Sequence, residues 1–343
     1  MAITYKDAGV DINAGNEAVK RMAGHVRSTF NRNVLLDIGA FGGAFSATEI
    51  KKMKFPVLIS SIDGVGTKTK IAALCNKWDT IGIDLVNHSC NDISACGAKP
   101  LFFLDYIASS KLSPEVVEHI ISGMAKACRE SNIALVAGET AEMPGVYLEN
   151  ETDLAGCIVG VVEKERIITG GKIASGDALI GLKSNGLHTN GYSLARKVFF
   201  EIAKIGVNER IDEFNSTLGE ELLRTHRNYS STIQELMGIA ELHGIAHITG
   251  GGLYDNIERL LPEGLCAKIE KSKIPIAPVF RKIQQIGNVP ERDMFRTFNM
   301  GIGLALIVAE HEKEKIAKKL KALNEEAIEI GRIAKGNRGV EIN

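Results

Sequence analysis

Strand-sized apolar runs alternate with helix-period stretches from one end of this chain to the other, and that alternation leaves few architectures open. Pro56–Ile62 is a β-branched run ending at Asp63, and Thr80–Val86, Leu101–Ile107, Ile133–Ala137 and Leu154–Val162 read as further strands. Between them, Ser113-Pro114-Glu115 marks a helix start, with a hydroxyl for the cap, proline at the first helical position and an acid in the first turn. Val117, Ile120, Ile121, Met124 and Cys128 then fall on one helical face.

The pattern pauses once. Glu163-Lys164-Glu165-Arg166 is polar, and Thr169-Gly170-Gly171-Lys172 and Ser175-Gly176-Asp177 are turn chemistry. Alternation resumes with a strand at Ala178–Leu182 and a helix from about Gly191, lined by Leu194, Val198, Ile202 and Ile205. A helix after Gly252, a strand at Ile302–Val308 and a last helix carrying Ile316, Leu320 and Leu323 follow. At 343 residues the chain is long for a single hydrophobic core. The expected organisation is therefore α+β, as two successive mixed α/β domains, 1–165 and 166–343.

The composition, 45% apolar and 24% charged, is that of an ordinary globular protein. A formal net charge of −1 gives no whole-chain attraction to nucleic acid or to an anionic membrane, and neither is expected as a partner. No apolar run reaches the roughly 18 residues of a membrane span. The opening Met-Ala-Ile-Thr-Tyr-Lys-Asp lacks the basic and apolar regions of a signal peptide, so none is expected there. The six cysteines show no Cys-x-x-Cys pair and read as buried thiols of a cytoplasmic, reducing environment.

The densest chemistry is Asp63-Gly64-Val65-Gly66-Thr67-Lys68, at the end of a strand and the start of a helix. Gly64 and Gly66 would let backbone N–H groups approach an anion, Thr67 opens the helix, and Lys68 adds a full charge, all of which suit a phosphate. Asp63 repels a bare phosphate but fits with Mg²⁺ between them. The segment is not a Walker A loop, and a tight strand–helix turn with an Asp cap would read the same way. Asn91-Asp92 follows the next apolar run, so Asp63 and Asp92 could share one hard cation as metal ligands; a solvated turn is the plainer reading of Asn-Asp alone. His88 beside it reads as a satisfied surface or core histidine.

Gly138-Glu139-Thr140-Ala141-Glu142-Met143-Pro144-Gly145 places two acids around a small-residue turn after a strand, which reads as a site loop or as an acidic solvated turn. Ser184–Gly191 is a polar loop in which His188 is the one side chain of a type that titrates near neutrality; the plainer reading makes Asn190 a helix cap and His188 incidental. His247-Ile248-Thr249-Gly250-Gly251-Gly252 spends three consecutive glycines, either on backbone approach to a phosphate by Thr249, Gly250 and Gly251 or on a sharp helix entry.

Further segments join these in a fixed order. Tyr5-Lys6-Asp7-Ala8-Gly9-Val10-Asp11 comes first, with Ala14-Gly15-Asn16. Thr80-Ile81-Gly82-Ile83-Asp84 and Pro100-Leu101-Phe102-Phe103-Leu104-Asp105-Tyr106 come next. Asn190-Gly191-Tyr192-Ser193-Leu194 and Arg296-Thr297-Phe298-Asn299-Met300-Gly301 complete the set. Together they resemble the aminoimidazole ribonucleotide synthetase (phosphoribosylformylglycinamidine cyclo-ligase) family over nearly the whole chain. The resemblance implies an ATP- and Mg²⁺-dependent enzyme of purine biosynthesis. ATP phosphorylates the amide oxygen of formylglycinamidine ribonucleotide, the amidine nitrogen attacks, and phosphate leaves. It also implies a homodimer whose first domains join sheets into a central β-barrel.

Carried over by motif, Asp63 and Asp92 belong to the metal–phosphate site, and Gly138-Glu139-Thr140 contacts the nucleotide. His188 and His247 are expected to touch substrate or the transferring phosphate. The chain departs from the family pattern at Leu35–Gly42, with fewer glycines, at Ala137, at Leu187 and at Asn87-His88-Ser89. The same fold family includes selenophosphate synthetase, thiamine-monophosphate kinase and a hydrogenase-maturation dehydratase. Ala141–Gly145 and Arg296–Asn299 favour the cyclo-ligase among them. Against a nucleotide-binding subunit without turnover stand Asp63, Lys68, Asp92 and Glu139, one of which a dead relative would have lost.

Overall fold

The computed structural model describes residues 3–343. It forms two compact units: one takes the chain up to Ile93 together with Lys99–Lys164, the other Ser94–Ala98 and Glu165–Asn343. No helix among the described residues is long and apolar enough to cross a membrane.

The first unit runs α1 (Ile12–Arg27), β1 (Pro56–Gly64), α2 (Thr69–Cys75), α3 (Asp79–Ala95), β2 (Lys99–Ser109), α4 (Pro114–Glu130), β3 (Ala134–Glu142) and β4 (Thr152–Glu163). The strands form one sheet in the order β1-β4-β2-β3, antiparallel except for the β2–β3 pair. That parallel pair is joined through α4, whose five expected apolar residues are all buried. Asp11 caps α1 by accepting from the N–H groups of Asn13 and Ala14.

Thr80–Val86 is not a strand. It lies in α3, where every residue from Thr80 to Asn91 is buried. A helix covered on all sides loses its polar stripe and reads as a continuous apolar run. Two glycines let α3 and α4 touch: a Cβ at Gly82 would lie 2.0 Å from the Ile120 carbonyl oxygen, and one at Gly123 1.9 Å from that of Asp79.

Gly138–Glu142 is likewise not a loop, because β3 continues through it. Glu142 is an anchor there: its carboxylate accepts from the N–H of Asp11 at 2.5 Å and of Leu112 at 2.8 Å. On β1, exposure alternates from Pro56 to Asp63, and Leu58 and Ile62 stand 62% and 74% exposed on the face away from α3.

The second unit runs β5 (Ala178–Lys183), α5 (Tyr192–Arg196), β6 (Arg210–Ile211), β7 (Ser216–Thr217), α6 (Leu218–Leu222), α7 (Ser230–Met237), β8 (Gly244–His247), α8 (Gly252–Glu258), β9 (Leu265–Ile269), α9 (Pro278–Gly287), α10 (Glu291–Thr297), β10 (Ile302–Val308), α11 (Lys313–Ala322), β11 (Ala327–Lys335) and β12 (Gly339–Ile342). Six of these strands form a sheet in the order β12-β9-β11-β5-β10-β8, with only β12–β9 parallel. Its core packs Ile180 and Leu182 of β5 and Leu304 and Leu306 of β10 against Tyr229, Ile233, Ile316 and Leu320. The helix expected after Gly191 widens into a π-turn at Lys197–Ile202. Its buried face becomes Tyr192, Ala195, Val198 and Phe199, which leaves Ile202 exposed.

Candidate active site

In the first unit, the α3 helix changes what Asn91-Asp92 can do. His88 and Asp92 are one helical turn apart, and both meet the end of β1. His88 Nε2 lies 2.7 Å from Asp63 Oδ2 and 3.4 Å from Asp92 Oδ2. Asp63 Oδ1 accepts from the Gly64 N–H at 2.7 Å, and Ser61 Oγ donates to Asp92 Oδ2 at 3.4 Å.

Burial opposes charge on His88, but its hydrogen bonds to the two carboxylates outweigh it and raise its pKa from 6.5 to about 9. Burial would raise the Asp63 pKa as well, yet the His88 bond and charge leave it below the ordinary value. Two carboxylates thus converge on one cation of the protein's own. That is a hard-oxygen donor set suited to Mg²⁺, which fits these residues. His88, read from the sequence as a satisfied surface or core histidine, is a buried one and bridges the pair.

Lys68 is placed differently from the phosphate contact expected of it. Its side chain is fully buried, with Nζ 2.8 Å from Asp84 of α3, which is also fully buried. Burial pulls the ammonium pKa down, and the Asp84 charge offsets only part of that. The pair fastens the Gly66–Lys68 turn to α3.

The sheet registers align Asp63, Gly156, Asp105 and Gly138 in one row across β1, β4, β2 and β3. Desolvation raises the Asp105 carboxyl to about pKa 7, and the charge of Glu139 adds to it. Gly138 has no room for a side chain, because a Cβ there would meet Asp105 Oδ1 at 2.2 Å. Glu139 next to it is exposed. In the sequence Asp105 stands only within the motif Pro100–Tyr106, and its place beside Gly138 depends on a pairing that spacing along the chain does not encode.

In the second unit, the Ser184–Gly191 loop is held by Asn299. Its Oδ1 accepts from Ser184 Oγ at 2.8 Å and from the Gly301 N–H at 2.9 Å, while its Nδ2 donates to the Gly186 carbonyl at 2.9 Å. His188 is buried with φ +62° and donates from Nε2 to Asn185 Oδ1 at 3.1 Å. His247 ends β8 and is also buried.

The glycine run is a sharp helix entry. Gly251 and Gly252 have φ of +93° and +59°, and Asn256 Nδ2 donates to the carbonyls of Thr249, Gly250 and Gly252. His226, which no sequence pattern singled out, sits between the two motif histidines. It is stacked on His188 with centroids 4.1 Å apart, and its Nε2 is 2.9 Å from His247 Nε2.

The models of AIR synthase related proteins match this chain twice, the N-terminal domain over residues 53–162 and the C-terminal domain over 174–342. The chain is 50% identical over 340 residues to the phosphoribosylformylglycinamidine cyclo-ligase of Alkaliphilus oremlandii, with 99% of each chain covered. It is 52% identical over 339 residues to that of Geotalea daltonii, covering 99% of this chain and 97% of the relative. Among solved structures it is similar to thiamine-monophosphate kinase from Stenotrophomonas maltophilia, at TM-score 0.68 and 18% identity, over 95% and 96% of the two chains. It is also similar to the hydrogenase maturation protein HypE in complex with ATP, at TM-score 0.64 and 16% identity, over 94% of this chain and 88% of that one. These two likenesses concern the fold alone. Sequence identity of about half across the full length, in both domains, is what decides the assignment: the chain belongs to the phosphoribosylformylglycinamidine cyclo-ligase family.

Proposed function

We infer that this protein uses ATP to close the imidazole ring of formylglycinamidine ribonucleotide, giving 5-aminoimidazole ribonucleotide, ADP and phosphate. The observation that carries the site assignment is the convergence of Asp63 and Asp92 on one cationic position at the end of β1. An amide oxygen is a poor leaving group, and its phosphorylation makes it a good one. Phosphoryl transfer needs charge neutralisation and alignment more than covalent help. Asp63 and Asp92 would hold a Mg²⁺ ion, which would supply positive charge to balance the phosphates of ATP. Around it, Gly66 and Thr67 present the turn to the triphosphate, and Gly64 holds Asp63 in place through its N–H. In the second unit taken by itself, His188 and His247 are the proposed contacts to substrate or phosphate, and Thr249, Gly250 and Gly251 the proposed backbone approach to a phosphate. Purified protein with ATP, Mg²⁺ and formylglycinamidine ribonucleotide should release ADP, phosphate and the aminoimidazole product in equal amounts. ATP consumption only with selenide or thiamine monophosphate would place it elsewhere in the fold family.

The working form is a cytoplasmic homodimer whose first-domain sheets join into a barrel. Exposed Leu58 and Ile62 on β1 support a second copy covering that face, and the edge strands β1 and β3 carry Asp63 and Gly138-Glu139-Thr140 respectively. Each nucleotide then meets Asp63 from one chain and Glu139 from the other. Asp63→Asn and Glu139→Gln dimers should each be nearly inactive. Refolded together in equal amounts, they should recover about a quarter of wild-type activity: about half the dimers are mixed, and one of the two sites in each carries neither lesion. No recovery from a mixture containing mixed dimers would mean that both residues act within one chain.

A further inference from the structure

His226 is buried at 1% exposure among polar groups that belong to two separate motifs. Its Nδ1 lies 3.3 Å from Thr189 Oγ1, its ring stacks on His188 with a 26° tilt, and its Nε2 faces His247 Nε2 at 2.9 Å. It thus touches consecutive residues of the Ser184–Gly191 loop and the last residue of β8. The backbone around it is fixed. A Cβ at Gly303 of β10 would lie 2.6 Å from His188 Cε1 and 2.1 Å from Tyr229 Oη, so the ring layer has no slack beneath it.

Two imidazole nitrogens 2.9 Å apart can share only one proton in a hydrogen bond: one donates and the other accepts. The contact therefore ties the protonation of His247 Nε2 to that of His226, and with it the form that Nδ1 of His247 presents. Partners of this kind fix a histidine's tautomer and ring plane.

We propose that His226 is a positioning residue, which sets the tautomer and ring orientation of His247 and seats His188 by stacking. The proposal rests on the reading that His247 contacts substrate. Glutamine at 226 can place an amide near the lost Nε2, whereas leucine keeps bulk and removes both polar contacts.

The test uses full-length protein labelled with ¹⁵N-histidine. Ring-nitrogen spectra are assigned with a His247→Asn variant, alongside steady-state kinetics. Wild type should show His247 in one tautomer, His226→Leu a mixture, and His226→Gln a return to one tautomer. Turnover should fall by about 10- to 100-fold in His226→Leu with KM for ATP unchanged, and His226→Gln should regain most of it. Unchanged His247 signals in His226→Leu overturn the proposal whatever the activity. If His226→Leu fails to fold, His226→Gln decides: a mixed His247 tautomer there overturns it equally. If His226→Leu shifts the tautomer while His247→Asn turns over normally, the positioning holds, and it is the substrate-contact reading of His247 that fails.

Discussion

Turnover is expected to fall by about 10²-fold or more when either Asp63 or Asp92 becomes Asn, the scale of losing one electrostatic group at a transferring phosphoryl. The substitution keeps the shape of the side chain and removes one charge from the pair that meets at His88. Measured kcat with saturating ATP and Mg²⁺ is the readout, and near-normal turnover in one variant would remove that Asp from the site. A pH signature should accompany the Asp63 change. The folded His88 pKa of about 9 stands above its ordinary 6.5, so folding takes up a proton between those values. The stability this contributes is complete below pH 6.5 and is lost as pH rises through 9. Asp63→Asn removes one of the two carboxylates that raise the value. The stability gap between wild type and variant should be widest in weak acid and should close above pH 9. A gap that widens with pH would contradict the charged bridge.

Lys68→Met should cost about 3–5 kcal/mol, because it leaves the Asp84 carboxylate buried without the ammonium that matches it. Denaturant unfolding of the first unit's transition is the measurement. The double variant Lys68→Met, Asp84→Leu replaces both charges with apolar bulk and should recover most of that loss. The double variant also separates two roles. If Lys68 is a fastening for the Gly66–Lys68 turn, restored stability brings restored turnover to within about tenfold. If stability returns while turnover stays about 10²-fold down, Lys68 reaches a phosphate during the reaction and belongs with the site after all.

The elements that were legible in the sequence had either a period or a cap. β1 alternates because one of its faces is covered and the other is not, and α4 announces itself through Pro114, Glu115 and a clean apolar stripe, although the Ser113 hydroxyl makes no capping hydrogen bond. α3 had neither, being buried all round. That single misreading hid the bridge at His88. Residues 88 and 92 on a strand would stand roughly 13 Å apart, whereas on a helix they are neighbours about 5–6 Å apart. The motif pointed to Asp63 and Asp92, but the imidazole between them follows only once the helix is known. His226 lies 21 residues from His247 and on a different element, so nothing local could pair them.

Burial of the Lys68–Asp84 pair also alters what the glycine-rich turn can testify about a relative's activity. Evolutionary drift at Glu139, which is exposed, meets little resistance from folding, and drift at half-buried Asp63 meets only that of its pairing with His88. Drift at Lys68 removes the ammonium beside a fully buried carboxylate, and is costly unless Asp84 changes in the same step. A descendant that abandoned ring closure would therefore shed its acids first and keep Asp-Gly-Val-Gly-Thr-Lys looking half intact. In such pseudoenzymes the lysine is a fossil of the fold rather than of the chemistry. Lineages should exchange positions 68 and 84 together or not at all.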